Sequence, residues 1–245
     1  MTDVAREVLP PRWVPALLSF VAGYVDSYTF LALFGLFVAQ VTGSFVTAGA
    51  EFVTHDVSIG GKVAAVAAFL VAAALTAALI RLVQETGGDG LRWMLAFETL
   101  LLAAFSALML GGPPISGVDD WHGILAGVLA AMAMGTQSVI VRLLMRGIPQ
   151  TNVMTGNMTQ LGIAATELLL AWGRCRRDPG NAAQAHRFNA ERSQLLIVSA
   201  ITVGFIAGAG CGAVAFAVIG LRGTLLAVAL VGLLTLWALR RAPAR

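Results

Sequence analysis

Six apolar stretches, Trp13–Gly35, Lys62–Val83, Leu91–Leu110, Trp121–Met145, Leu195–Gly220 and Gly223–Leu239, each come near the length of about 20 residues that a helix needs to cross a bilayer. Stretches of that length confine the chain to membrane-spanning helices. The charge content agrees: 12% of residues are charged, where a soluble domain carries roughly 25%. With 27 Gly and long Ala, Val and Leu runs, the chain reads as an all-α integral membrane protein forming a single membrane domain over residues 1–245. A soluble enzyme is excluded. The net charge of +3 would be weak support for a nucleic-acid partner in a soluble protein, but the bases do not cluster among aromatics, and no nucleic acid is expected.

Two further segments, Val38–Val53 and Thr151–Trp172, are apolar enough to enter the membrane, but Thr, Gly, Ser, Asn and Gln interrupt their first halves. The arginines decide how to place them, because Lys and Arg concentrate in cytoplasmic loops. The linker 174–192 carries Arg174, Arg176, Arg177, Arg187 and Arg192, and the tail carries Arg240, Arg241 and Arg245, so both are expected in the cytoplasm. The loop Gly111–Asp120 has no base and contains Asp119 and Asp120, so it reads as external. If Trp121–Met145 and Thr151–Trp172 both crossed fully, the arginine linker would face the wrong side. The second is therefore read as a re-entrant half-helix that enters and leaves on the cytoplasmic face. The same reasoning makes Val38–Val53 re-entrant from outside, with His55, Asp56 and Lys62 external and Arg6, Arg12, Arg81 and Arg92 internal. Both termini are then cytoplasmic. The mixed charges of Met1–Glu7 and the length of the first apolar stretch predict an uncleaved first span.

The two halves match in order, about 12–110 against 121–240: a long helix, a broken segment, then two helices. Gly23-Tyr24-Val25-Asp26-Ser27 has a weak counterpart in Gly135-Thr136-Gln137-Ser138, and Val41-Thr42-Gly43-Ser44 a closer one in Met154-Thr155-Gly156-Asn157. Small residues four apart follow in each half, Ala64, Ala68, Ala72 and Thr76 against Ala200, Gly204, Gly208 and Gly212. Such rows let helix backbones approach closely; a sliding surface is the other reading. Three spans per half is odd, so the expected architecture is six transmembrane helices plus two broken or re-entrant segments in a 3+3 inverted repeat.

Phe20-Val21-Ala22-Gly23-Tyr24-Val25-Asp26 with Val41-Thr42-Gly43-Ser44, and Ala133-Met134-Gly135-Thr136-Gln137-Ser138 with Val153-Met154-Thr155-Gly156-Asn157-Met158-Thr159, resemble the paired elements of the YoaK family of uncharacterised membrane proteins across essentially the whole chain. At Ser44 this chain departs from the family's first copy, which more often has Asn. The resemblance implies a polytopic bacterial inner-membrane protein and no established activity.

Asp26 is the most informative charge. It lies 14 residues past Arg12, about 21 Å at 1.5 Å per residue and well past mid-bilayer, where an ionisable group costs several kcal/mol unless paired or hydrated. It is either a proton- or cation-linked carboxylate or a structural hydrogen-bonding group. Its mate Gln137 is uncharged, which weakens a two-carboxylate mechanism. The elements Thr42-Gly43-Ser44 and Thr155-Gly156-Asn157, followed by Thr159, offer hydroxyls, an amide and flexible glycines at two half-helix starts. Two such N-termini meeting near the midplane suit an anion or a polar neutral solute; as packed plugs they would carry no ligand. Arg142 is a vestibule residue or an interfacial anchor. Glu98 and Glu167 each suggest an arginine partner, and Glu51 reads as solvated. Trp13, Trp93, Trp121, Trp172 and Trp237 fall near span ends, as an interfacial belt requires.

No HExxH, GxSxG, Gly-rich phosphate loop or Cys/His ligand spacing occurs, and Cys175 and Cys211 suggest neither disulfide nor metal. No enzyme activity, cofactor or metal is therefore expected. The leading reading is a transporter or channel for a small polar or anionic solute, linked to protons through Asp26, with Ser27, Thr42, Gly43, Ser44, Gln137, Ser138, Arg142, Thr155, Gly156, Asn157 and Thr159 as the other candidate site residues. The bilayer, a small solute and a second copy of the chain are the expected partners. Two readings stay beside it: a scaffold or sensor subunit, and a membrane-embedded enzyme built on Asp26 and Ser27.

Overall fold

The computed structural model describes residues 11–54, 59–117, 119–178 and 180–241; Arg6, His55, Asp56 and Arg245, which the topology reading used, lie outside them. Among the described residues all regular structure is helical: α1 (Trp13–Ala32), α2 (Val41–Thr54), α3 (Ile59–Glu85), α4 (Gly90–Gly111), α5 (Trp121–Leu144), α6 (Met154–Arg177), α7 (Ala182–Ile219), a 3-10 turn (Gly220–Gly223) and α8 (Thr224–Arg240). Five segments are long and apolar enough to cross a membrane: α1, α3, α4, α5 and the continuous run Ala182–Arg240. Most outward side chains along their central stretches are apolar, with Val71, Val214 and Val218 among the most exposed, and exposed charges such as Arg81, Arg142 and Arg187 fall toward segment ends. That is the surface of a multi-pass membrane protein, since in lipid an apolar exterior has no hydration cost.

Local chemistry sets the helix ends. Asp89, Asp120 and Asn181 each accept a bond from a backbone N–H two residues on, at 3.0, 3.0 and 3.1 Å, so α4, α5 and α7 start with side-chain caps. At the end of α1 the chain turns through Phe34 and Gly35, both at positive φ (53° and 82°). Glycine takes that conformation without the steric cost a Cβ imposes.

Contacts fix the directions. Gly204, Gly208 and Gly212 of α7 press on the carbonyls of Ala16, Phe20 and Tyr24 in order, so α1 and α7 run parallel. In the same way Gly135 of α5 meets the Phe69 backbone of α3, while Thr76 donates to Thr136 at 3.1 Å. Gly123 at the start of α5 faces Leu33, the residue after α1, and Gln137 farther along α5 reaches the Leu18 carbonyl near the start of α1, so these two helices are antiparallel. Trp13 packs edge-on against Trp237 (5.0 Å between centroids), and Tyr28 donates to the Gly220 carbonyl (2.9 Å). The Ala182–Arg240 run therefore folds back at the 3-10 turn, with α8 antiparallel to both α1 and α7.

Several arginines gather at one end of the bundle, while Arg222 of the 3-10 turn lies at the opposite end. Arg12 donates to Ser193 (2.6 Å), and the Arg92 guanidinium pairs with Asp89 (3.0 Å) and reaches the Arg241 carbonyl, which gathers these arginines at one end. Asp119 and Asp120 lie at the other, beside the start of α5. The small-residue row on α7 is a packing seam. Its partner row on α3 is half-buried at Ala64 and Ala68 and buried at Ala72 and Thr76.

A Cβ at Gly208 would overlap the Phe20 carbonyl, whereas Gly210 faces open space. Gly208→Val should destabilise the protein by about 1–3 kcal/mol, the usual range for overpacking, seen as a lower Tm and aggregation in detergent. Gly210→Val should be neutral in the same assay.

Hydrogen bonds from Ser116 and His122 hold the Asp120 carboxyl below its usual range. A lowered folded-state pKa gives stability that is fully present above the unfolded value of about 3.9 and is lost as pH falls through the lowered value. Melting curves should therefore show an acid-side loss below about pH 4 that Asp120→Asn flattens.

Candidate functional site

Two stretches of chain leave the helical form inside the bundle, residues 33–40 before α2 and 145–153 before α6. Buried non-helical backbone must have its N–H and C=O groups satisfied by protein or water, and here side chains of α1 and α5 do much of it. Asp26 is buried, and its Oδ1 accepts from the N–H groups of Val38 (2.8 Å), Ala39 (2.8 Å) and Gln40 (3.3 Å). On the opposite helix, Gln137 Nε2 donates to Thr151 Oγ1 and to the Leu18 carbonyl of α1, both at 2.9 Å, and Ser138 Oγ reaches Gln150 Oε1 at 3.4 Å. Ser19 Oγ lies 2.9 Å from the Thr151 carbonyl and 2.8 Å from that of Ile201, tying the second loop to α1 and α7.

The loops also meet each other, because Asn152 Nδ2 donates to the Ala39 carbonyl at 3.4 Å. Each loop is latched to its own helix by the same device. Ser44 Oγ donates to the Phe37 carbonyl (2.7 Å) and Asn157 Nδ2 to the Gln150 carbonyl (2.6 Å), each seven residues back. The change from Asn to Ser between the copies thus keeps the latch, since a hydroxyl and an amide NH2 can each supply the one donor it needs.

The candidate residues separate on this frame. Asp26, Gln137, Ser44 and Asn157 are buried in the network that organises the breaks. Ser27, Ser138 and Gly43 are half-buried, Gly43 under the Phe37 ring. Thr42, Arg142, Thr155, Gly156 and Thr159 are exposed. The Thr-Gly-(Ser/Asn) elements occupy the first turns of α2 and α6, while the irregular backbone lies just upstream. Sequence reading placed the break on the polar residues themselves; the break falls earlier because Ser44 and Asn157 reach back across it.

Two further expectations change. Glu51 is not simply solvated: it forms an ion pair with Lys62, the chain's one lysine, which is buried at the α2–α3 junction. Glu98 is fully buried on α4, and among the described residues it has no arginine partner and neither oxygen has a hydrogen-bond partner. The residues that join the loops, Ser19, Ala39, Thr151 and Asn152, were missed. The only available signal was that Ser19, Thr151 and Asn152 are polar residues in or beside apolar stretches.

Asp26→Leu leaves the N–H groups of Val38, Ala39 and Gln40 without their acceptor, and a buried unsatisfied group costs about 1–3 kcal/mol. Asp26→Asn keeps one acceptor oxygen. Fluorescence-detected size exclusion with melting should show the Leu variant unfolded or strongly destabilised and the Asn variant close to wild type.

A family model described as "Protein of unknown function (DUF1275)" matches residues 14–237, and this is the same family that the YoaK-like motifs indicate. No curated protein and no solved structure matches the chain.

Proposed function

The chain belongs to the DUF1275 family, whose description names no activity, and on that premise we propose that it is a non-enzymatic transporter or channel for a small solute. In this reading it has six spans and two re-entrant segments in a 3+3 inverted repeat, and both termini face the cytoplasm across a bacterial inner membrane. The observation that carries the reading is the meeting of two helix breaks in the buried centre, joined at Asn152 and Ala39 and held by Asp26 and Gln137 from the flanking helices. Paired broken segments at a repeat interface are where transporters with inverted repeats bind substrate.

Several features support the repeat. Helix α1 packs on α7 and α3 on α5, an exchange of third helices between halves, and α1 and α5 are antiparallel. Gly23 meets the backbone of Phe205 and Ala209 as Gly135 meets that of Phe69. The axis relating the halves would pass where Thr99 of α4 bonds Thr235 of α8 at 2.9 Å. The gathering of arginines at one bundle end supports the orientation, because positively charged loops stay in the cytoplasm.

The test is uptake into proteoliposomes containing the full chain, across monovalent cations, neutral polar solutes and small anions, with and without a pH gradient. At least one solute should enter faster than into empty liposomes, and Asn152→Ala should slow it about tenfold, the effect of a 1.4 kcal/mol loss. If no solute exceeds the empty control under any gradient, the protein is not a transporter of this kind.

A further inference from the structure

The network between the helix breaks can be audited atom by atom for donors and acceptors. Gln137 Nε2 has two partners, the Leu18 carbonyl and Thr151 Oγ1, and Asn152 Nδ2 donates to the Ala39 carbonyl. Carbonyls only accept, so these contacts fix which end of each amide is nitrogen. Three atoms of the network are then left with no hydrogen-bond partner among the described residues: Asp26 Oδ2, Gln137 Oε1 and Asn152 Oδ1. All three are acceptors. Their residues are at most 4% exposed, and they are linked through Asp26–Ala39–Asn152 on one side and Gln137–Thr151, next in sequence to Asn152, on the other.

The second N–H of Asn152 and the Thr151 hydroxyl proton are left over as donors, but the Asp26 carboxylate has no cationic side chain paired with it among the described residues. A buried polar atom without a partner is costly, and a net surplus of acceptors around a carboxylate selects what can remove the cost. An anion brings more acceptors and would deepen the deficit. A cation, or a group bearing N–H donors, fills it. We propose that the junction of the two broken segments binds a small monovalent cation, sodium, potassium or ammonium, at Asp26 Oδ2, with Asn152 Oδ1 and Gln137 Oε1 as the further unpartnered oxygens of the same network. One carboxylate among neutral amide oxygens fits a single positive charge, and oxygen donors suit a hard cation. The proposal names the cargo or coupling ion of the site described above and, for that role, rests on the transport reading.

The experiment melts the purified full-length protein in detergent at constant pH and ionic strength in sodium, potassium, ammonium and N-methylglucamine chlorides, and separately in sodium salts of different anions. A ligand that binds only the folded state raises Tm in a saturable way. The expected result is a rise of several degrees with at least one small cation and no comparable effect of anion identity. Asp26→Asn keeps an oxygen for the three N–H groups and turns the unpartnered acceptor into a donor, so its response should vanish; Asn152→Ala, which removes another of the three oxygens, should weaken it. A wild-type Tm indifferent to cation identity means that water fills the site and overturns the proposal, as does a full response in both variants. A cation response without flux in proteoliposomes keeps the site and overturns transport. Flux of an anion or neutral solute without a cation response does the reverse.

Discussion

Backbone that leaves the helix inside an apolar bundle must find its hydrogen bonds within the protein, and most of this architecture follows from how that is done. The carboxylate of Asp26 gathers three N–H groups on one oxygen, and Gln137 and Ser19 tie down the second break from α5 and α1. Without those side chains the stretches at 33–40 and 145–153 would either extend as helix or expose bare amides to hydrocarbon. The burial of Asp26 thus has a structural cause. The same carboxylate contributes an oxygen that the cap does not use, and this makes a structural and a ligand-binding role compatible in one residue.

The glycine seam and the breaks depend on each other. Gly204, Gly208 and Gly212 bring α7 against the α1 backbone, close enough for Ser19 to reach the Ile201 carbonyl. The stacked rings of Phe20, Tyr24 and Tyr28 continue this seam toward the 3-10 turn, where Tyr24 and Tyr28 donate to the Gly223 and Gly220 carbonyls at 2.7 and 2.9 Å. Close packing therefore does more than hold two helices together: it sets the depth at which α1 presents Ser19 and Asp26 to the loops.

Much of this was legible in the sequence. Apolar length gave the helices, because a span needs a fixed number of apolar residues whatever its neighbours are. The period of four in Ala64–Thr76 and Gly204–Gly212 marked the contact faces, because only small side chains allow that approach, while Ala200, expected in the same row, is exposed. The site was less legible. Thr42, Thr155 and Thr159 looked like ligands by residue type but are exposed, while Ala39, which offers a backbone carbonyl, carries no side-chain signal at all. Lys62 and Glu51 could not be paired from sequence either, since their meeting depends on how α2 folds back on α3.

The sequence by itself determined the helical membrane class, the concentration of arginines in particular linkers and the presence of two interruptions, all of which follow from the local free energy of placing residues in lipid or water. Only the tertiary structure decided which atoms close the interruptions, that the two loops touch, and that the oxygens left over are all acceptors. Those outcomes depend on contacts between residues more than a hundred positions apart, such as Gln137 with Leu18 and Asn152 with Ala39, and on hydrogen-bond geometry that no local pattern encodes.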